Sequence, residues 1–176
     1  MGKRISVNVE TCVGCHTCEL ACAVAHSESK DIITAFTKGE KLAYRIYVEA
    51  FQETPVPIPC NHCEEAACIM ACPTGAAHRN VEDGPVFVDS EKCIGCRMCV
   101  QACPFGVIIV KEGMGAVKCD LCIERLAEGE EPACVYSCPT HSLTFSSDDE
   151  SNTDKRQKVA GMMAAAAEAG DAALKG

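Results

Sequence analysis

The stretch Cys12-Val13-Gly14-Cys15-His16-Thr17-Cys18-Glu19-Leu20-Ala21-Cys22 decides how this chain folds, because Cys93-Ile94-Gly95-Cys96-Arg97-Met98-Cys99-Val100-Gln101-Ala102-Cys103-Pro104 repeats its spacing. Both runs read C-x2-C-x2-C-x3-C. Cys60, Cys63, Cys68 and Cys72 form a variant with four residues in the middle gap, followed by Pro73. Cys119, Cys122, Cys134 and Cys138 widen that gap to eleven and end in Pro139. Together the four runs use all 16 cysteines of the 176 residues, against five Phe, three Tyr and no Trp. Aromatic packing therefore does not hold this chain together.

Three uses of so many cysteines compete. A disulfide framework belongs to secreted chains, and thiols two or three residues apart do not all reach distant partners with bridge geometry. Structural zinc uses two Cys pairs separated by a long knuckle, not tight runs of four. The spacings fit the bacterial ferredoxin pattern, in which three thiolates at i, i+3 and i+6 wrap three corners of an iron–sulfur cubane and the fourth serves a neighbouring cluster. The loop's amides point at the sulfurs and offset their charge. The Pro that follows stops the helix carrying the fourth thiol. Four such runs predict four [4Fe–4S] clusters.

Four runs pair in three ways. Only 20 residues separate Cys72 from Cys93, short enough for a compact two-cluster unit. The second and third runs are thus the natural inner pair, and the first and fourth enclose them. Exchange of fourth ligands then gives the sets Cys12, Cys15, Cys18 with Cys138; Cys119, Cys122, Cys134 with Cys22; Cys60, Cys63, Cys68 with Cys103; and Cys93, Cys96, Cys99 with Cys72. Sequential pairing, first with second and third with fourth, satisfies the same exchange rule.

The expected fold is α+β: two interleaved ferredoxin-like units of short strands and helices, plus a C-terminal helical tail. Residues 1–145 make the four-cluster domain, with an outer unit from 1–50 and 105–145 and an inner unit from 51–104. Ile5–Val9 and Leu143–Phe145 read as strands that close the outer unit. Pro85–Asp89 and Val107–Val110 are expected to close the inner one in the same way. Tyr44–Phe51 alternates as a strand. Glu19–His26, Glu64–Ala71 and Arg97–Cys103 read as short helices. Pro55-Val56-Pro57-Ile58-Pro59 reads as a stiff, extended connector. Ser146–Asp154 is polar and acidic and reads as a linker. Lys155 to Gly176 is rich in Ala and Met, with Val159, Met162, Met163, Ala166, Ala173 and Leu174 on one helical face and Gln157, Ala164, Glu168, Asp171 and Lys175 on another. Such a tail either frays or docks, on a partner subunit or head to tail on the next copy of the chain. Elements this short lean on their metal centres, so folding is expected to be coupled to metal insertion.

Other chemistry finds little support. His16 and His62 lie inside cysteine runs, where they are second-layer donors to cluster sulfur or solvated; His26, His78 and His141 complete the histidines. Gly113-Met114-Gly115-Ala116 lacks the third glycine and the strand–helix setting of a dinucleotide loop. No nucleophile–base constellation, phosphate loop or paired-carboxylate site stands out, so no catalytic residue is expected. The net charge of −9 argues against nucleic acid. No run of eighteen apolar residues spans a membrane. The start of the sequence has neither a signal peptide nor a twin-arginine pair, so a cytoplasmic location is expected.

Cys12–Cys22, Cys60-Asn61-His62-Cys63, Cys72-Pro73-Thr74-Gly75-Ala76, Cys93-Ile94-Gly95-Cys96 and Lys118-Cys119-Asp120-Leu121-Cys122 resemble the four-cluster electron-transfer subunits of the formate dehydrogenase and dimethyl sulfoxide reductase type. The match covers roughly Lys3 to Phe145. Ala23 to Asp31 resembles the iron–sulfur subunit associated with carbon monoxide dehydrogenase; small subunits of tungsten aldehyde oxidoreductases and of hydrogenase–formate dehydrogenase complexes are similar too. The resemblance implies the nested pairing and a wire of clusters relaying single electrons for anaerobic metabolism, while a separate subunit does the chemistry. The implied partners are a large catalytic subunit of tungsten or molybdenum pterin or nickel–iron type, and a flavin subunit or ferredoxin. A free-standing polyferredoxin with no fixed partner is the rival reading. Each oxidised cluster with its thiolates carries roughly −2, so docking partners are expected to be basic or strongly apolar and docking to be salt-sensitive.

Overall fold

The computed structural model describes residues 3–82 and 84–174; the side chains of residues 148, 154 and 165–174 lie outside that description, and with them the expected tail positions Ala166, Glu168, Asp171, Ala173, Leu174, Lys175 and Gly176. The fold is a small α+β one of short helices and four two-stranded sheets.

The ends of the cysteine-rich region meet. Strand β1 (Arg4–Val7) pairs antiparallel with β8 (Leu143–Ser146), with Ile5 opposite Phe145 and Val7 opposite Leu143. Ile5 and Leu143 are buried, so the alternation that marks both strands in sequence is an inward-facing apolar row. Next to this ladder, α1 (Thr17–Ala25) packs against α6 (Ala133–Tyr136). Elements from opposite ends of the chain thereby enclose those between them. Further in, α3 (Ala67–Met70) packs against α4 (Met98–Ala102).

The inner strands depart from the sequence reading. Phe87–Val88 (β5) pairs with Ala77–His78 (β4), not with Val107–Val110. Ile109–Lys111 (β6) instead turns back onto Gly115–Val117 (β7). The hairpin closes a far shorter loop than a pairing with residues 85–89, which costs less chain entropy, and Gly113, at φ +77°, sits in its turn. The glycine pair that fails as a dinucleotide loop is thus a hairpin bend.

Pro55–Pro59 is extended as expected, but it is more than a connector. Thr54–Ile58 (β3) pairs with Tyr47–Phe51 (β2), with Pro55 and Pro57 opposite Ala50 and Val48. A two-stranded ribbon is all edge, so it tolerates prolines that lack an N–H. Two helices escape the sequence reading. Helix α2 (Ile32–Lys38) is capped by Asp31, whose carboxylate accepts from Thr34 N at 2.8 Å, and ends at Gly39; α5 (Ile123–Ala127) is a single turn.

The stretch read as an acidic linker is helical from Asp148, where α7 (Asp148–Leu174) begins. Ser147 and Glu150 explain the correction. Glu150 Oε2 accepts from Ser147 N at 2.8 Å, and Ser147 Oγ accepts from Glu150 N at 3.3 Å, which is a reciprocal capping box. Val159, Met162 and Met163 are exposed. Among the described residues no helix is long and apolar enough to cross a membrane.

The largest buried cluster is half sulfur. Cys18, Cys22, Cys60, Cys119, Cys134 and Cys138 share it with Ile5, Ile46, Val107, Leu121, Val135 and Leu143. Aliphatic side chains fill the gaps between thiols, and no aromatic ring anchors the centre.

Candidate metal centres

Each cysteine run begins in a loop whose backbone is held in the left-handed region. Gly14 and His16 have φ +66° and +57°, and Gly95 and Arg97 have +68° and +65° in the equivalent places. His16 and Arg97 are the residues from which α1 and α4 start. A non-glycine residue in this region is strained by roughly 1 kcal/mol or more. The strain bends the chain around the space between the thiols and puts Cys18 and Cys22, like Cys99, on the helix that follows. At Gly14 a side chain would also meet Pro55, 3.0 Å from the position of its Cβ, so the β2–β3 ribbon lies directly on this loop.

Sulfurs distant in sequence converge. Cys60, Cys63, Cys68 and Cys103 line one cavity, together with His62 and Lys118. Cys72, Cys93, Cys96 and Cys99 line a second, with Thr74 and Arg97. Cys134 lies among Cys119, Cys22 and Cys122, whose charges act on it, and burial pushes its thiol far up. Burial likewise raises Cys119 strongly and Cys18 to about 11. Cys15 and Cys138 act on one another across the length of the chain. Cys12 opens the loop that carries Cys15 and Cys18.

Donors point at several sulfurs. Backbone amides of Arg45, Ala77, Ala116 and Leu121 stand 3.3, 3.4, 3.3 and 3.4 Å from the sulfurs of Cys22, Cys72, Cys93 and Cys119. Ser142 Oγ lies 3.2 Å from Cys138 Sγ. Burial raises the Cys138 thiol, but bonds from Ser142, Leu143 and Thr140 outweigh it and bring it down to about 7. Amide dipoles aimed at sulfur stabilise thiolate, the form that binds metal.

Histidines divide by setting. His62 Nδ1 accepts from Val86 N at 2.9 Å, which leaves Nε2 as the protonated nitrogen. That Nε2 is buried and has no hydrogen-bond partner, and burial drives the imidazole down to about 3, so it is neutral. An orphaned N–H at a thiol-lined cavity suits an acceptor such as sulfide. His16 is exposed and bonds Glu19 at 2.8 Å. His26 donates from Nε2 to Asp120 at 3.0 Å and from Nδ1 to the Cys22 carbonyl at 2.7 Å. Burial opposes its charge, but Asp120 raises it to about 12, and the ring is an imidazolium.

Sequence reading passed over Asp120, Arg45 and Lys118. Asp120 is 18% exposed, accepts from Arg45 and His26, and caps Cys122 N at 2.9 Å. His26, Asp120 and Cys122 place ligand atoms within 4.8 Å of one another, but the first two are already bonded to each other. The sixteen free thiols, their grouping and the donors around them fit iron–sulfur ligation.

Comparisons with known proteins point the same way. The 4Fe–4S dicluster domain family matches residues 51–148, and a 4Fe–4S binding domain matches residues 9–25. The sequence is 43% identical over 152 residues to an iron–sulfur protein of Rhodospirillum rubrum, covering 79% of each. It is 42% identical over 159 residues to the B subunit of the anaerobic dimethyl sulfoxide reductase of Escherichia coli, covering 82% of this protein and 73% of that subunit. A subunit in the active-site complex of benzoyl coenzyme A reductase is 20% identical, with a TM-score of 0.45, covering 92% of this protein and 89% of that subunit.

Proposed function

Since the chain belongs to the 4Fe–4S dicluster family of iron–sulfur electron-transfer subunits, we propose that it holds four [4Fe–4S] clusters in two nested pairs and relays single electrons for a separate catalytic subunit. The observation that carries this reading is the convergence of Cys60, Cys63, Cys68 and Cys103 on one cavity and of Cys72, Cys93, Cys96 and Cys99 on another. Each set takes three thiols from one run and the fourth from the other.

The outer sets are Cys12, Cys15, Cys18 with Cys138, and Cys119, Cys122, Cys134 with Cys22. Packing of α1 on α6 and pairing of β1 with β8 support them. Sequential pairing would instead join the first run to the second. The four-cluster domain then spans residues 1–145, with 51–104 as its inner unit.

Bound clusters would supply one-electron storage at each site. The chain's own part is to bind, to insulate and to tune. Its aliphatic residues exclude water, and its amides and hydroxyls offset charge at sulfur. The partner is a large oxidoreductase subunit of molybdenum or tungsten pterin or nickel–iron type, with a flavin subunit or ferredoxin at the other end. The dimethyl sulfoxide reductase relative supports the pterin class. Exposed Met162 and Met163 support docking of the tail, on that partner or on the next copy of the chain.

Anaerobic preparation and analysis test the reading. The holoprotein should carry roughly sixteen irons and sixteen sulfides per chain, and dithionite should elicit the electron-spin signals of interacting reduced clusters. Zinc in their place, or about half the iron, would refute it. Removal of residues 155–176 should abolish co-purification with the partner while leaving the iron count intact.

A further inference from the structure

Lys118 is 3% exposed, and its Nζ donates to the carbonyl oxygens of Val86 and, at 2.7 Å, of Cys119. Neither acceptor is charged, and among the described residues no carboxylate pairs with this lysine. An ammonium taken out of water without a counter-charge costs several kcal/mol. Either the residue is a liability or something anionic stands beside it. Lys118 lines the cavity of Cys60, Cys63, Cys68 and Cys103. Its charge acts on the Cys68 and Cys119 thiols, and Cys60 and Cys119 act on one another. Lys118 therefore stands where the inner cavity meets the outer site that contains Cys119. The other inner cavity has no such group: its basic lining residue is Arg97, which is exposed and screened by water.

We infer that Lys118 is a fixed buried charge that raises the reduction potential of the site built on Cys60, Cys63, Cys68 and Cys103, holding the transferred electron at the junction of the inner and outer pairs. The inference rests on the cluster assignment proposed above. Reduction of this site takes one electron from a neighbouring site, which is oxidised by one, and no bond or proton changes hands. Each added electron brings negative charge into a dry interior, and Lys118 offsets it where an exposed lysine would not. The length of the side chain matters too: the stem crosses the core and the ammonium ends between two carbonyls, aimed by both.

The test uses full-length holoprotein with Lys118→Met, Lys118→Gln and Lys118→Arg, each assayed for iron and titrated under spin-resonance detection. One midpoint should fall in the Met and Gln variants by at least tenfold in the reduction equilibrium, about 59 mV for one electron. The Arg variant should stay within threefold of the parent. Loss of iron in the neutral variants with retention in Arg also supports the inference, because it shows that the charge holds the anionic group. Unchanged midpoints in neutral variants with full iron would overturn it. So would equal losses in all three, since shape rather than charge would then matter. A parent protein lacking iron would instead bring down the cluster assignment, which the Lys118 variants leave standing if they alone fail.

Discussion

Thr74 and Thr140 hold their hydroxyl oxygens at the same 3.7 Å from the sulfurs of Cys72 and Cys138. Each sits two residues after its cysteine in a Cys-Pro-Thr turn, so one piece of local geometry serves both the inner and the outer half of the molecule. The turns also agree in sending the fifth amide back to the sulfur, from Ala77 in one and Leu143 in the other. They differ at the fourth residue. Ser142 offers Cys138 a second hydroxyl at 3.2 Å, where the inner turn has Ala76.

That difference should separate the potentials of two sites. A donor to ligand sulfur stabilises the reduced, more negative state. Ser142→Ala removes one such bond, worth about 1 kcal/mol net, without changing the ligand set. The midpoint of one site should fall by somewhat less than tenfold in its reduction equilibrium, read by spin-resonance titration, with iron content unchanged. An unaltered set of midpoints would show that the hydroxyl serves the fold alone.

How much of this was legible in sequence depends on the kind of signal. Cysteine spacing is a strict metric signal and needs no context, so the four runs stood out. The β1–β8 pairing was legible because Ile5 and Phe145 sit on strands that alternate. The inner sheets were not, because β4 and β5 are two residues long and carry no period. Asp31 and Gly39 did mark α2, as an acceptor cap and a left-handed terminus, but the segment was too short for its apolar positions to stand out. Lys118 and Asp120 were hidden for another reason. Charged residues are presumed exposed, and only the folded chain reveals that these two are enclosed among thiols.

Asp120 should be a stability residue. It is 18% exposed and lies between Arg45, at 20%, and His26, at 12%. Asp120→Ala leaves two cations facing each other and uncaps Cys122, at a cost of about 3 kcal/mol. For a domain of this size that is a fall in Tm of roughly 6 to 12 °C. Scanning calorimetry of the holoprotein checks the value. Arg45→Met in the same background should recover part of the loss, because it removes one of the stranded charges; additive losses would show that the three residues do not act as a unit.

The capping box should govern where α7 starts. Ser147→Ala removes the acceptor for Glu150 N and should cost about 1 kcal/mol locally. Ser151 N bonds to the Ser147 carbonyl at 3.0 Å, so its amide reports the first turn. Hydrogen exchange there should speed up by about fivefold, the equivalent of that energy, while amides of β8 stay protected. Equal acceleration in β8 would mean that the helix and the strand open together.

The β6–β7 hairpin should prove to be part of the metal site rather than mere scaffold. Gly115 has φ +69°, and a Cβ at this position would stand 3.0 Å from Cys93 Sγ and 3.2 Å from Cys93 Cβ. The next amide, Ala116 N, donates to the same sulfur at 3.3 Å. Gly115→Ala therefore does two things at once. It strains the backbone by roughly 1 to 2 kcal/mol, and it pushes the hairpin off the sulfur that the amide stabilises. Of the four sites, the one on Cys72, Cys93, Cys96 and Cys99 should suffer alone, with roughly four irons lost per chain and the remaining signals intact. A substitution that strains without contact is the control. Gly129, at φ +80° with nothing near its Cβ position, provides it: Gly129→Ala should cost comparable stability and no iron. If both variants lose iron alike, general destabilisation explains the result; if only Gly115→Ala does, the close approach of hairpin to sulfur is what keeps the metal in place.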